Sequence, residues 1–181
     1  MVIIGIALVL ALLSFLGRFI YFLEVVEEQE VGVRLSNGKI KAGDDGIVGP
    51  GVYSDFGIQV NIQRISLQAV PFDVTDPEII TADKQRIGLV VTGDIFRPQD
   101  KGRIRSLWAQ YRGLYTDDQQ ILTRVTSFAR QSMKVCVGDR TFDDNIIGTA
   151  RDALRACIDT ELNDLAGELG ITVENVTVPE V

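Results

Sequence analysis

Histidine is absent from this chain of 181 residues. A histidine-based catalytic triad, a histidine proton shuttle and the common histidine metal sites are therefore excluded. Basic residues are also in short supply, with 18 Lys and Arg against 25 Asp and Glu and a formal charge of -7. Nucleic acid is thereby excluded as a partner, because neutralising phosphates takes clustered cations, and anionic lipid headgroups are a poor electrostatic match. The single Trp and two Cys leave little scope for aromatic platforms or thiol chemistry. What remains is 46% hydrophobic and 24% charged, a composition that suits one or two small globular units.

The apolar residues are unevenly placed. Met1 to Leu23 is apolar apart from Arg18 and the small residues Gly5, Ser14 and Gly17. As a helix it would rise roughly 33 Å, enough to cross a hydrocarbon core of ~30 Å. A cleaved signal peptide would need a basic start, a shorter apolar core and a small-residue cleavage site, none of which is visible. A buried core helix is a poorer fit for a segment apolar on every face. Residues 1–23 are thus expected to form a single-pass anchor, with Ile3, Ile4, Leu8, Leu10, Leu12, Leu13, Phe15, Leu16, Phe19, Ile20, Tyr21 and Phe22 facing lipid. No Lys or Arg precedes this segment, whereas Arg18, Arg34, Lys39 and Lys41 lie in it or soon after it. By the positive-inside rule this favours a cytoplasmic location for the body of the chain.

From Val31 to Phe96 the punctuation is that of antiparallel β structure. Val31 to Leu35 alternates, Asn37-Gly38 is the dipeptide preferred in a type I′ hairpin turn, and Asp44-Asp45-Gly46 and Gly49-Pro50-Gly51 mark further reversals. These glycines are turn residues, because no helix start or Lys-Ser/Thr pair follows to make a phosphate cradle. Alternation resumes at Ile58, Val60 and Ile62, and a change of phase near Arg64 predicts a bend or bulge. Pro71 restricts its strand to an edge or a strand start. Arg86 to Phe96 puts Ile87, Leu89, Val91 and Ile95 on one side and a partly apolar set on the other, which predicts a central strand. Val52, Tyr53, Phe56, Ile58 and Phe72 are candidate membrane-contacting loop residues, although sheet core accounts for them more simply.

Helical spacing takes over after Pro98. Ile104, Leu107, Trp108, Tyr111 and Leu114 form the stripe of a first helix over 100–113, with Trp108 in the core. Thr116 with Gln119 reads as a capping box for a second helix ending at Gly138, and Thr141 with Asp144 opens a third that closes at Gly170. Residues 171–178 return to period two and are expected to pair back onto the sheet, giving an α+β arrangement. The pairs Asp117-Asp118 and Asp143-Asp144 fall in helix first turns, where negative charge is favoured and adjacent side chains diverge, so they read as caps rather than catalysts. In a tight helix hairpin Cys136 and Cys157 would lie roughly 20 Å apart along the helix axis, beyond disulfide reach. They read as small buried apolar residues, compatible with a reducing compartment.

In this order the chain resembles the SPFH or band 7 family, which includes stomatins, prohibitins, flotillins and the bacterial HflK and HflC proteins. The resemblance rests on the apolar start, on Glu28 to Leu35 followed by Asn37-Gly38-Lys39, and on Gly49-Pro50-Gly51-Val52-Tyr53. It continues through Ile80-Thr81-Ala82-Asp83, the helices, and Gly170 to Val176. It implies three parts: an anchor over 1–23, a β-rich subdomain over 24–97, and a helical subdomain with a closing strand over 98–181. It also implies a non-enzymatic membrane scaffold without cofactor, metal or catalytic residues. Such a scaffold assembles with itself or with other SPFH proteins into a ring or cage, organises a membrane microdomain and can enclose membrane proteins. The family's long coiled-coil helix would begin where this sequence stops, at Val181, and a minimal form without it would not assemble by that route. An alternative is a membrane-tethered adaptor that regulates an AAA-type membrane protease or a channel. An enzyme comes third, with Asp83 or Asp94 as the carboxylates to test.

Overall fold

The computed structural model describes Ile6, residues 20–143 and residues 149–179. It divides into two compact units, Met1–Leu67 and Gln68–Val181. Among the described residues no helix is long and apolar enough to cross a membrane. The anchor positions Ile3, Ile4, Leu8, Leu10, Leu12, Leu13, Phe15, Leu16 and Phe19 lie outside the described residues. Ile20, Tyr21 and Phe22 do not extend a helix, because their backbone already belongs to strand β1, Ile20–Val26. Aromatic and β-branched residues favour that extended backbone, and the strand Gly51–Phe56, β5, supplies the partner for its ladder.

In the first unit β1 pairs antiparallel with β5, Gly51–Phe56. A second sheet is built on β2, Glu30–Ser36. One edge of β2 carries β6, Asn61–Ser66, and the other carries the short strands β3, Lys39–Ile40, and β4, Ile47–Val48. The hairpin turn is the one expected from Asn37-Gly38, with φ of 52° and 74°. No bulge occurs near Arg64. The β2–β6 register is unbroken from Glu30↔Ser66 to Leu35↔Asn61, while Ile58 and Val60 sit before the strand, where Gln59 has φ 49°. The core consists of Val26, Val31, Val33, Leu35, Ile47, Val48, Val60 and Ile65. Gly32 lets its layers close, since a Cβ there would stand 2.8 Å from methyl carbons of both Ile62 and Val26.

The second unit is a three-stranded antiparallel sheet in the order β7-β8-β9, formed by Val70–Ile80, Arg86–Phe96 and Thr172–Thr177. Strand β8 is central, as its two-faced pattern predicts, and Ile87, Leu89, Val91 and Ile95 are buried. Strand β7 is an edge, as its prolines require. Its register shifts between Asp76 and Ile79, which accommodates Pro77 and turns Ile79 inward in step with Phe72 and Val74. The long hairpin β7–β8 joins β9 and the helices within the second unit.

Three helices are described from end to end: α1, Lys101–Thr116; α2, Asp118–Gly138; and α3, Thr149–Gly167. Helix α2 packs on β7 and on α3, and α3 packs on β9. The cap of α2 is Asp117 rather than Thr116. Helix α1 runs on through Thr116, whose hydroxyl donates back to the Arg112 carbonyl, so Asp117 is the extended residue between helices and accepts from the Gln119 and Gln120 N–H groups. Trp108 is 5% exposed, in the core.

The third helix also departs from expectation, and the cysteines with it. Phe142 and Asp143 are helical, residues 144–148 lie outside the described residues, and α3 starts at Thr149 instead of Thr141. Cys157 falls eight residues after Thr149, the first residue of α3. Cys136 and Cys157 form a disulfide with Cα atoms 5.9 Å apart. This bond overturns the separation of roughly 20 Å expected along the helix axis.

Candidate functional site

The feature of the first unit that packing does not explain is the orientation of β5. Val52 and Phe56 on this strand are 61% and 76% exposed, whereas the carboxylate of Asp55 is turned inward and is 8% exposed. A strand facing a core normally does the opposite. Val52 lies directly across the ladder from Val25, which is also exposed, so both strands present apolar side chains on one face. Leu23, at the irregularity in β1, and Ile58, just past β5, add exposed apolar surface. The register places Phe56 opposite Ile20 and Gly51 opposite Val26. The Phe56 end of the ribbon is therefore the end at which the apolar segment 1–19 joins it.

Three of the five candidate contact residues, Val52, Phe56 and Ile58, are thus exposed. Tyr53 is half-buried, its hydroxyl donating to the Gly49 carbonyl at 2.9 Å, and Phe72 is core at 4% exposure. Leu23 and Val25, also exposed, were not among the candidates. Their alternation across Glu24 was the available signal, hidden by reading the helix through Leu23.

The inward side of the ribbon is held by charge. The Lys41 ammonium donates to both Asp55 oxygens at 2.7 and 2.8 Å, and Arg34 stands 3.1 Å from the same carboxylate. Burial works against this carboxylate, but Lys41, the Phe56 N–H and Arg34 outweigh it and hold its pKa below the ordinary 3.8. Asp55→Asn is expected to cost the unit about 2 kcal/mol near neutral pH, the scale of hydrogen bonds to a charged group. A depressed folded pKa means that this stability is complete above 3.8 and is lost as pH falls through the lower folded value. Denaturant midpoints should therefore differ between the two proteins at neutral pH and converge as pH falls through the lowered folded value.

Of the carboxylates considered for chemistry, Asp83, Asp94, Asp117 and Asp118 are in structural use, whereas Asp143 is exposed and Asp144 lies outside the described residues. Asp83 accepts from the Thr81 hydroxyl at 2.5 Å and from the Phe142 N–H at 3.1 Å, while the Ala82 N–H donates to the Arg140 carbonyl at 2.8 Å. The Ile80-Thr81-Ala82-Asp83 corner thus ties the end of β7 to the connection after α2. Asp94 accepts from the Asn175 amide at 2.8 Å across the β8–β9 ladder. Strand β8 separates Asp83 from Asp94 by on the order of 30 Å, so they cannot converge on one substrate. Asp117 is a cap, and Asp118 pairs with Arg97, which is 4% exposed and also donates to the Leu114 carbonyl at 3.4 Å. Among the described residues no group of three acidic or cysteine side chains is placed to hold a metal ion.

Tyr115, fully buried, fastens α1 to the turn after α3 by donating its hydroxyl to the Leu169 carbonyl at 2.6 Å. Burial pushes its pKa up to about 12, with Arg103 lowering it and Tyr111 raising it. Tyr115→Phe strands that carbonyl and should cost roughly 1–2 kcal/mol. Because the folded pKa is raised, the contribution is whole below 10.0 and is lost as pH rises through about 12. Comparing denaturant midpoints of the two proteins across alkaline pH checks both the size and the window.

The described residues thus form antiparallel sheets and three complete helices in an α+β arrangement, with an outward apolar ribbon in the first unit. The chain belongs to the SPFH domain / Band 7 family, which it matches over residues 24–181. It is similar to Stomatin-4 of Caenorhabditis elegans, at 27% identity over 161 residues, covering 89% of this chain and 52% of that protein. The chain therefore spans about half the length of this curated relative.

Proposed function

We propose that this protein is a non-catalytic scaffold held at a membrane, which packs side by side with copies of itself or with other SPFH proteins and so organises the surrounding bilayer. The observation that carries the reading is the outward apolar face of β1 and β5, placed where the apolar segment 1–19 joins the fold. A helix confined to residues 1–19 would rise roughly 28 Å, still close to the ~30 Å of a hydrocarbon core. Ile3 to Phe19 then serve as the anchor, and Phe56 and Ile58 follow it into the interface. The acidic Glu27, Glu28 and Glu30, just beyond β1, favour neutral over anionic lipid.

Family membership supports assembly, and apolar faces held at one depth would bring copies together in two dimensions. Extraction of the full chain in mild detergent, followed by sizing and by crosslinking in intact membranes, tests this. Large assemblies with self-crosslinks are expected. A strictly monomeric chain would contradict assembly, and a dominant foreign partner without self-contacts would point instead to an adaptor on a membrane protease or channel.

A further inference from the structure

Both cysteines of this chain are consumed in one bond that joins two packed helices. Cys136 lies in the last turn of α2 and is 1% exposed, whereas Cys157 on α3 is partly exposed. Their Cα separation of 5.9 Å lies within the range that a disulfide requires. In a reducing cytosol such a pair would be kept as thiols, while the bond persists in secreted, periplasmic and other oxidising settings. We propose that Cys136–Cys157 is a disulfide in the native protein and that the body of the chain, from β1 onward, stands on the oxidising side of the membrane. The side of the membrane rests on the proposed function above; the bond does not.

This assignment opposes the orientation drawn from Arg18, Arg34, Lys39 and Lys41, a count that includes charges of the folded body. Arg34 and Lys41 belong to the folded β2–β3 hairpin, where both engage Asp55. The positive-inside rule counts charges in short loops, and folded domains cross largely regardless of charge. Bond formation needs an oxidant of the protein-disulfide class. In the folded chain the Cys157 thiolate, the more exposed, attacks one sulfur of that disulfide and releases one oxidant thiol. The Cys136 thiolate then attacks the Cys157 sulfur of the mixed disulfide and releases the second. Two protons and two electrons leave the chain, and the oxidant is reduced to a dithiol.

The test uses the full chain in cells that make it, quenched in acid, denatured and treated with a polymer-linked maleimide. No mass shift is expected without reductant and two adducts after reduction, while Cys157→Ser should take one adduct under either condition. Protease added outside the sealed membrane should cut the body of the protein. Two adducts without reductant, or a disulfide-linked dimer, would overturn the bond. An oxidised monomer cut only after the membrane is opened would overturn the side. An oxidised monomer recovered outside the cell and away from membranes would uphold the bond and the oxidising compartment while refuting the membrane reading.

Discussion

Replacing Cys136 and Cys157 together by alanine is expected to lower the stability of the helical unit by about 3 kcal/mol, the chain-entropy value for a loop of this size. The sequence separation of 21 sets that loop. It contains the stretch from Asp139 to the start of α3, to which the Ala82 and Asp83 bonds at its near end belong. Without the bond, the free chain gains the freedom of that whole stretch, while the folded state loses only a small buried contact at Cys136. For a unit of this length the melting temperature should fall by about 10 °C. Adding reductant to the unsubstituted protein should reproduce the shift and should leave the double variant unchanged. Equal melting temperatures with and without reductant would mean that the bond constrains nothing.

Phe56→Asp combined with Ile58→Asp is expected to weaken binding of the chain lacking residues 1–19 to neutral phosphatidylcholine vesicles by about 1000-fold. The two side chains are 76% and 63% exposed, so each has most of its apolar area available to lipid. At ~2 kcal/mol for each, the loss is about 4 kcal/mol, or three powers of ten. Exposed substitutions away from packing seldom shift stability by more than ~0.5 kcal/mol, so the melting temperature should hold and the loss can be assigned to the surface. The Ile58 backbone is fixed independently of its side chain by the Asn37 N–H, which donates to its carbonyl at 2.9 Å. Adding anionic lipid should not strengthen binding, given the acidic stretch after β1. Flotation of vesicles across a gradient measures both effects.

The features readable in the sequence were those with local causes. Period two identified β8 and its central place because Ile87, Leu89, Val91 and Ile95 alternate without interruption, and Asn37-Gly38 dictated its own turn through positive φ. Pro71, for want of a donor, limited β7 to an edge or a strand start. Where the outcome hung on what a neighbouring element did, the pattern failed. Thr116 has the chemistry of a cap, but it was unavailable because α1 continued through it. The disulfide depended on how α2 and α3 pack against each other, which the pattern within either helix does not tell. The apolar ribbon was the hardest case. Alternation in Val52-Tyr53-Ser54-Asp55-Phe56 tells which residues share a face but not which face meets the core, and the Lys41 and Arg34 pairing with Asp55 reversed the usual answer.

Everything proposed about function depends on that reversed strand meeting lipid. The most direct measurement is the fluorescence of a Phe56→Trp variant of the full chain in vesicles whose acyl chains carry bromine, with Asn61→Trp as the exposed comparison and Trp108, 5% exposed, as the fixed background. The account predicts blue-shifted emission at position 56 that is quenched by brominated lipid and untouched by aqueous iodide, with the reverse at position 61. Iodide quenching at position 56, with no effect of brominated lipid, would contradict it.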